Sequence, residues 1–340
     1  MPTPFRRLAG LSPHGLPLAR TLVRSGLARV FGAPPFDVTA DPGDPGLFGP
    51  GSASWRIIAE PAAIAGGVRA LLVQLLHPHA MAGVADHSAF RTDPLGRLHR
   101  TSAYITVTTF GSTREALDTA RVIRRVHTTV RGTAPDGRSY AAEEPRLLGW
   151  VSLALTSSML ATDAVFAPRP AEPDVVDRFV AEQARAASLL DARVDLERLA
   201  ADPEALTALR TGRLELPLVR EGWVPTTGAE LDARLAAYRP ELTITEQGRE
   251  AFRFLRWPPL PPTLRAAYLP LLAGALATLA PAQRALLDLP SGRLATAPAT
   301  AQTRALLGAL RLTVGTSPAR DAAARRAASD PAGTDHALGA

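Results

Sequence analysis

The side chains that are able to do chemistry are concentrated between residues 74 and 131. Five of the seven histidines lie there: His77, His79, His87, His99 and His127. The sequence contains no cysteine, which excludes thiolate nucleophiles, disulfides, iron–sulfur clusters and cysteine-based zinc sites. Metal chemistry in this chain therefore depends on histidine, aspartate and glutamate.

The sequence places His127 on the apolar side of a helix. The spacing predicts a helix over residues 114–131 that carries Leu117, Ala120 and Ile123 on the same side as His127. The opposite side is predicted to carry arginines, namely Arg121, Arg124 and Arg125. A neutral imidazole among apolar neighbours is a common ligand of haem iron. The alternative is a core histidine that is hydrogen-bonded to a carbonyl, and periodicity by itself favours that alternative.

A second group of polar residues precedes His127. Residues 98–110 are rich in β-branched residues, but no second strand is available to pair with them, so a helix is predicted. On a helix, Arg97, Arg100 and Thr101 share a face. A guanidinium can hold a propionate or another carboxylate through two parallel hydrogen bonds, and a threonine can donate to a bound oxygen species. The alternative is an ordinary solvated helix N-terminus.

The remaining histidines have the residue types of metal ligands without a complete pattern. His77 and His79 flank a proline and His87 follows Asp86, but these spacings match no closed zinc site. The sequence also lacks the short motifs of dinucleotide-binding, nucleotide-binding, esterase and zinc-protease sites. The candidate functional residues are therefore His127 and the group formed by Arg97, Arg100 and Thr101.

The elements predicted around these residues are helices. Residues 1–30 are predicted to be an N-terminal helical extension. Residues 31–54, rich in glycine and proline, are predicted to be an ordered loop, whose apolar anchors are Phe31, Phe36, Leu47 and Phe48. Residues 62–76 are apolar nearly all round, which predicts a central helix. The sequence thus predicts an all-α, single globular domain over residues 31–312, followed by a disordered tail over residues 313–340.

Composition limits the partners. The formal charge is +6 and every basic residue is arginine, but the arginines are interleaved with acids and aromatics are few, so no nucleic-acid partner is expected. No apolar run reaches the length of a membrane span, and the N-terminus has no secretory signal pattern. A cytoplasmic protein without an integral membrane span is expected.

Several motifs, taken in order, are similar to those of one family. They are GLFGPGSASWRI (46–57), GGVRALLVQLLHPHAMAGVADHS (66–88), DPLGRLHRTSAYITVTTFG (93–111) and EEPRLLGWV (143–151). The chain resembles the DUF2236 family of oxygenases, that of latex clearing protein (rubber oxygenase) and the fungal MpaB enzyme. The resemblance implies a globin-like core that binds one haem b, with His127 as the proximal iron ligand. It places Arg97 near the haem and Thr101 in the same family pattern.

Two departures from the rubber enzymes bear on the function. Arg100 stands where they have a distal lysine, and residues 74–97 contain no glutamate that could act as their catalytic base. The resemblance therefore implies a haem b-dependent oxygenase that uses O2 on a small, unsaturated apolar substrate of isoprenoid or lipid type. Its catalytic residues would be Arg97, Arg100 and Thr101, and its electron donor is unknown. The alternative is a non-catalytic haem-binding or haem-sensing helical protein.

Overall fold

The chain is described by a computed structural model over residues 34–315 and 317–329. Within them it forms helices and a single β-hairpin, which confirms the all-α, single-domain prediction. The helices are α1 (Ala53–Ile58), α2 (Ala62–Gln74), α3 (Pro78–His87), α4 (Pro94–Phe110), α5 (Thr113–His127), α6 (Pro145–Phe166), α7 (Pro173–Ser188), α8 (Leu196–Ala201), α9 (Pro203–Arg210), α10 (Pro217–Arg220), α11 (Gly228–Tyr238), α12 (Glu246–Arg256), α13 (Pro262–Ala277), α14 (Pro281–Leu286), α15 (Arg293–Val314) and α16 (Pro318–Ala328). The predicted extension over residues 1–30 lies outside the described residues.

Two long apolar helices, α2 and α6, form the centre of the fold. Leu72 on α2 and Trp150 on α6 are completely buried in the largest core cluster. The helices approach so closely that a Cβ atom on Gly66 would lie 2.7 Å from the Met159 sulfur. Among the described helices, α6 is the one long and apolar enough to cross a membrane, but over half of that stretch is buried inside the protein.

Local signals fix the boundaries of α4 and α5. The Asp93 carboxylate accepts a hydrogen bond from the Gly96 N–H at 2.9 Å and begins α4. Gly111 ends α4, and Ser112 begins α5 through a capping box with Glu115. The helix predicted over residues 98–110 is thus confirmed, and α4 extends further toward the N-terminus because of the cap.

The segment after α5 differs from the prediction. The helix ends at His127 and not near residue 131. Strands β1 (Arg131–Thr133) and β2 (Ser139–Ala141) follow and pair antiparallel, with Gly132 opposite Tyr140. Tyr140 is buried and its hydroxyl donates to Asp86 on α3 at 2.6 Å. This long-range contact holds the hairpin against α3, and the local turn composition does not reveal it.

The predicted disordered tail is corrected for residues 317–329, which contain α16. Its Ala322 and Ala323 pack on Phe36 and Phe110, and Arg326 is buried. The Arg326 guanidinium donates to the carbonyl oxygens of residues 44, 110 and 111. These non-local contacts order a segment whose Ala- and Arg-rich composition is typical of disorder. Residues 330–340 lie outside the described part.

The loop before α1 is laid on the core as predicted. Phe36 and Leu47 are buried and Phe48 is partly buried, whereas Phe31 lies outside the described residues. Gly46 has a φ of 76° and its Cβ position is only 2.5 Å from the Gly111 oxygen. The loop therefore needs glycine there to pass close to the turn between α4 and α5.

Candidate active site

An apolar cavity lies between α2, α3, α4, α6, α12 and α13. It has a volume of about 150 Å³, similar to that of a cavity that admits one benzene-sized molecule. Its walls are formed mainly by aliphatic and aromatic side chains, namely Val68, Leu71, Leu75, Met81, Val84, Phe90, Val151, Phe254 and Leu255. The polar residues on its surface are Gln74, Arg97, Thr101 and Tyr268. Few polar groups in an apolar cavity are typical of a small-molecule site.

Arg97 is the charged group on the cavity wall. Burial and, to a smaller extent, the nearby charge of Arg100 lower the pKa of its guanidinium to about 10. Within the described residues, the guanidinium has no ion pair or hydrogen bond to an acid. A desolvated cation without a counterion is costly for the fold. Arg97 is therefore poised to bind an anionic group, since a carboxylate can accept two of its N–H bonds.

Thr101 and Gln74 are the other polar groups that are free to face a ligand. The Thr101 hydroxyl donates to the Arg97 carbonyl at 3.1 Å, so its oxygen is available to the cavity as an acceptor. Gln74 ends α2 and was missed by the sequence analysis. A single amide at the end of an apolar helix gave no signal. The Tyr268 hydroxyl, in contrast, is used in a 2.6 Å hydrogen bond to the Leu255 carbonyl.

Arg100 does not join Arg97 and Thr101 at the cavity. It is exposed, and its guanidinium lies 3.4 Å from the Asp93 carboxylate at the start of α4. Three residues correspond to a rotation of about 300° around a helix, so Arg100 lies about 60° from Arg97 and turns toward the cap. The structure therefore brings together two of the three polar residues that the sequence grouped on one face.

His127, the candidate iron ligand, is half-buried at the end of α5. Burial lowers the pKa of its imidazole, while the Glu143 carboxylate opposes this shift. Its Nδ1 is buried and has no hydrogen-bond partner within the described residues. The carbonyl partner expected for an ordinary core histidine is thus lacking at Nδ1. A neutral imidazole with an unpartnered nitrogen has the character that metal ligation requires.

His127 is not part of the cavity wall, and it is separated from Arg97 along the chain by the turn between α4 and α5. Arg97 precedes the turn at Gly111 by 14 residues and His127 follows it by 16. At 1.5 Å per residue these positions lie about 21 Å and about 24 Å from the turn. Val122 and Val126 on α5 are more than half exposed, but they lie about 140° and about 100° around the helix from His127 and do not share its face.

Three of the other histidines, His77, His79 and His87, interact with nearby groups of the protein. His77 is buried and begins α3, where its Nδ1 accepts from the Ala80 N–H at 3.4 Å. His79 pairs with Asp136 at 3.1 Å, and His87 hydrogen-bonds the Arg131 carbonyl. Across residues 34–315 and 317–329, no three His, Cys, Asp or Glu side chains form a group that could share a metal ion.

The predicted pattern on α5 needs one correction. Arg124 was expected to turn outward, but its guanidinium donates to the carbonyls of Leu189 and Val194 at 2.7 and 2.8 Å. The first of these carbonyls lies just after the end of α7. Unpaired carbonyls at a helix end attract a cation. Arg124 therefore joins α5 to α7 and fixes the helix that carries His127.

The fold is all-α, and its cavity has the apolar lining of a small-molecule site. The chain matches the family model described as the ER-bound oxygenase mpaB/B'/rubber oxygenase catalytic domain over residues 55–314, and it belongs to that family. It is therefore an oxygenase catalytic domain, an oxidoreductase that acts on a substrate with O2. No curated protein and no solved structure gave a significant match.

Proposed function

We propose that the chain is a haem b-dependent oxygenase that uses O2 on an unsaturated apolar substrate of isoprenoid or lipid type. The observation that carries the proposal is the Arg97 guanidinium, which lies in the wall of an apolar cavity and has no ion pair with any described residue. The carboxylate of a bound group would supply the missing counterion. Haem, when bound, supplies the iron that makes O2 reactive.

The roles of the residues follow from their surroundings. His127 would bind the iron, because its imidazole is neutral and partly buried. Arg97 would hold a propionate of the haem, which requires the haem to reach from His127 to Arg97. Thr101 and Gln74 are available to orient a polar group within the cavity. The aliphatic walls would exclude water and accept the hydrocarbon part of the substrate.

The visible absorption spectrum of the purified protein tests this proposal. The wild type is expected to show a Soret band, and His127→Ala is expected to lose or strongly shift it. His79→Ala is the matched control, because His79 is paired with Asp136 and should leave the spectrum unchanged. A wild type that stays colourless after addition of haemin, or a His127→Ala variant with an unaltered band, would contradict the proposal.

A haem protein without turnover is the second candidate. It is favoured by one observation: within the described residues, none of those that line the cavity is acidic, so no carboxylate is placed there as a base. Oxygen consumption by the haem-loaded protein separates the two candidates. Repeated turnover with an unsaturated isoprenoid supports the oxygenase. A Soret band without any oxygen uptake above that of His127→Ala supports the second candidate.

A further inference from the structure

The mouth of the cavity is formed by a segment with an unusually exposed tryptophan. Pro258, Pro259 and Leu260 line the cavity directly after Trp257, which ends α12. Trp257 is 64 % exposed, whereas Trp55 and Trp150 are buried in the core. A large indole left in solvent beside an apolar opening is surface that a partner would cover.

Positive charge surrounds this tryptophan. The Arg265 guanidinium carbon lies 4.6 Å from the centre of the Trp257 ring, and Arg256 precedes Trp257. Within the described residues, neither Arg256 nor Arg265 forms an ion pair. The acids of α12 are used elsewhere, since Glu246 pairs with Arg253 and Glu250 pairs with Arg91. The surface around Trp257 therefore combines an exposed indole with two cations that have no acidic partner within the described residues.

This combination has the chemistry of a surface that binds anionic lipid. Tryptophan prefers the headgroup level of a bilayer, where its apolar ring is buried and its N–H stays hydrated. Arginines beside it attract the negative surface of a membrane. Leu269, 38 % exposed on α13 one turn after Arg265, adds apolar surface to the same helix. A protein partner held by polar contacts would have no need to cover the mouth of the cavity, and this favours a lipid surface.

We propose that the docking rim, Arg256 to Leu260 together with Arg265 and Leu269, binds the surface of an anionic lipid membrane. The Trp257 ring enters the headgroup layer and Arg256 and Arg265 contact lipid phosphates. The cavity mouth then faces the acyl chains, so an apolar molecule passes from the bilayer to Arg97 and Thr101 without crossing water. The contact is peripheral and requires neither haem nor turnover.

Co-sedimentation of the full chain with lipid vesicles tests the docking rim. Vesicles of phosphatidylcholine with and without phosphatidylglycerol are compared for the wild type, Trp257→Ala and Arg256→Gln. The wild type is expected to bind the anionic vesicles and to be released by salt. Arg256→Gln should bind about fivefold more weakly, since it lacks one cation near the surface, and Trp257→Ala should lose most binding.

Leu294→Ala is the matched control, because Leu294 is 94 % exposed on α15 and is not part of the docking rim. It should bind as the wild type does. Circular dichroism verifies that each variant is folded. The proposal is overturned if the wild type ignores anionic vesicles, or if Trp257→Ala binds as well as Leu294→Ala does. Because lipid binding is the readout, this result is independent of the haem spectrum.

Discussion

Arg97 and Arg100 are three residues apart on α4 and have opposite surroundings. Arg100 is exposed and pairs with Asp93, while the Arg97 guanidinium is desolvated at the cavity wall. The sequence indicated that one face of α4 carries polar groups, but it could not separate the two arginines. That separation depends on the cap residue Asp93 and on apolar walls contributed by distant helices. Gln74 could not be found for the same reason.

His77 makes the stability of the fold depend on pH. Its ring is buried 5.3 Å from that of Trp150 and 6.0 Å from that of Tyr238. Burial lowers its pKa to about 4, although the Glu241 carboxylate, 3.6 Å away, opposes the shift. The charges of His79 and Arg146 contribute to this lowering of the pKa. The folded protein therefore keeps His77 neutral where the unfolded chain would bind a proton.

The sign of the effect follows from this difference. Above pH 6.5 His77 is neutral in both the folded and the unfolded protein, and the free energy of unfolding has its full value. It decreases as the pH falls from 6.5 toward 4, because the unfolded chain then binds a proton at His77. A shift of this size corresponds to about 3 kcal/mol. His77→Asn keeps an N-cap for α3 and should remove the decrease in the free energy of unfolding that His77 causes at low pH. Urea unfolding at pH 7 and pH 4.5 measures it, and equal pH dependence in both proteins would contradict the prediction.

At the scale of elements, the contact between α2 and α6 depends on Gly66. A Cβ atom there would lie 2.7 Å from the Met159 sulfur and 2.8 Å from the Thr162 hydroxyl oxygen. Gly66→Ala is therefore expected to lower the free energy of unfolding by about 1–3 kcal/mol. Chemical denaturation measures the change.

The neighbouring glycine provides the control for this substitution. A Cβ atom on Gly67 would meet nothing within 4 Å. Gly67→Ala should raise the free energy of unfolding by about 0.5–1 kcal/mol, because alanine is favoured over glycine inside a helix. If both variants changed stability in the same direction, close packing of α2 on α6 would not be the cause.

The elements differ in how far the sequence predicted them. Helix α4 was predicted despite its β-branched residues, because no second strand was available to pair with them; its start was placed at residue 98, whereas the Asp93 cap begins it at Pro94. The β-hairpin was missed because its strands have three residues each, and its anchor, the contact of Tyr140 with Asp86, joins distant parts of the chain. The type of the helix was therefore predictable, whereas its first residue and the hairpin were not.

At the scale of the molecule, Arg326 joins the last described helix to the first described loop. Its guanidinium donates to the carbonyls of Asp44, Phe110 and Gly111. Burial lowers the pKa of Arg326, while the charges of Asp44, Glu115 and Asp41 oppose this shift. This contact could not be predicted from the sequence, because it connects residues more than 200 positions apart and occurs in a segment with the composition of a tail.

Arg326→Met should destabilise the protein by about 3 kcal/mol, because it leaves several buried carbonyl oxygens without donors. Limited proteolysis should then cut first near α16, and urea unfolding measures the decrease in the free energy of unfolding. Arg325→Met is the control, since Arg325 is exposed and should have little effect. Similar losses in both variants would show that Arg326 does not hold the helix.

The prolines at the cavity mouth have a further consequence. Pro258, Pro259 and Pro261 each have a fixed φ angle, so the segment gives up little conformational freedom when a molecule enters. This part of the mouth is therefore stiff, so the entry of a molecule depends little on rearrangement of the segment.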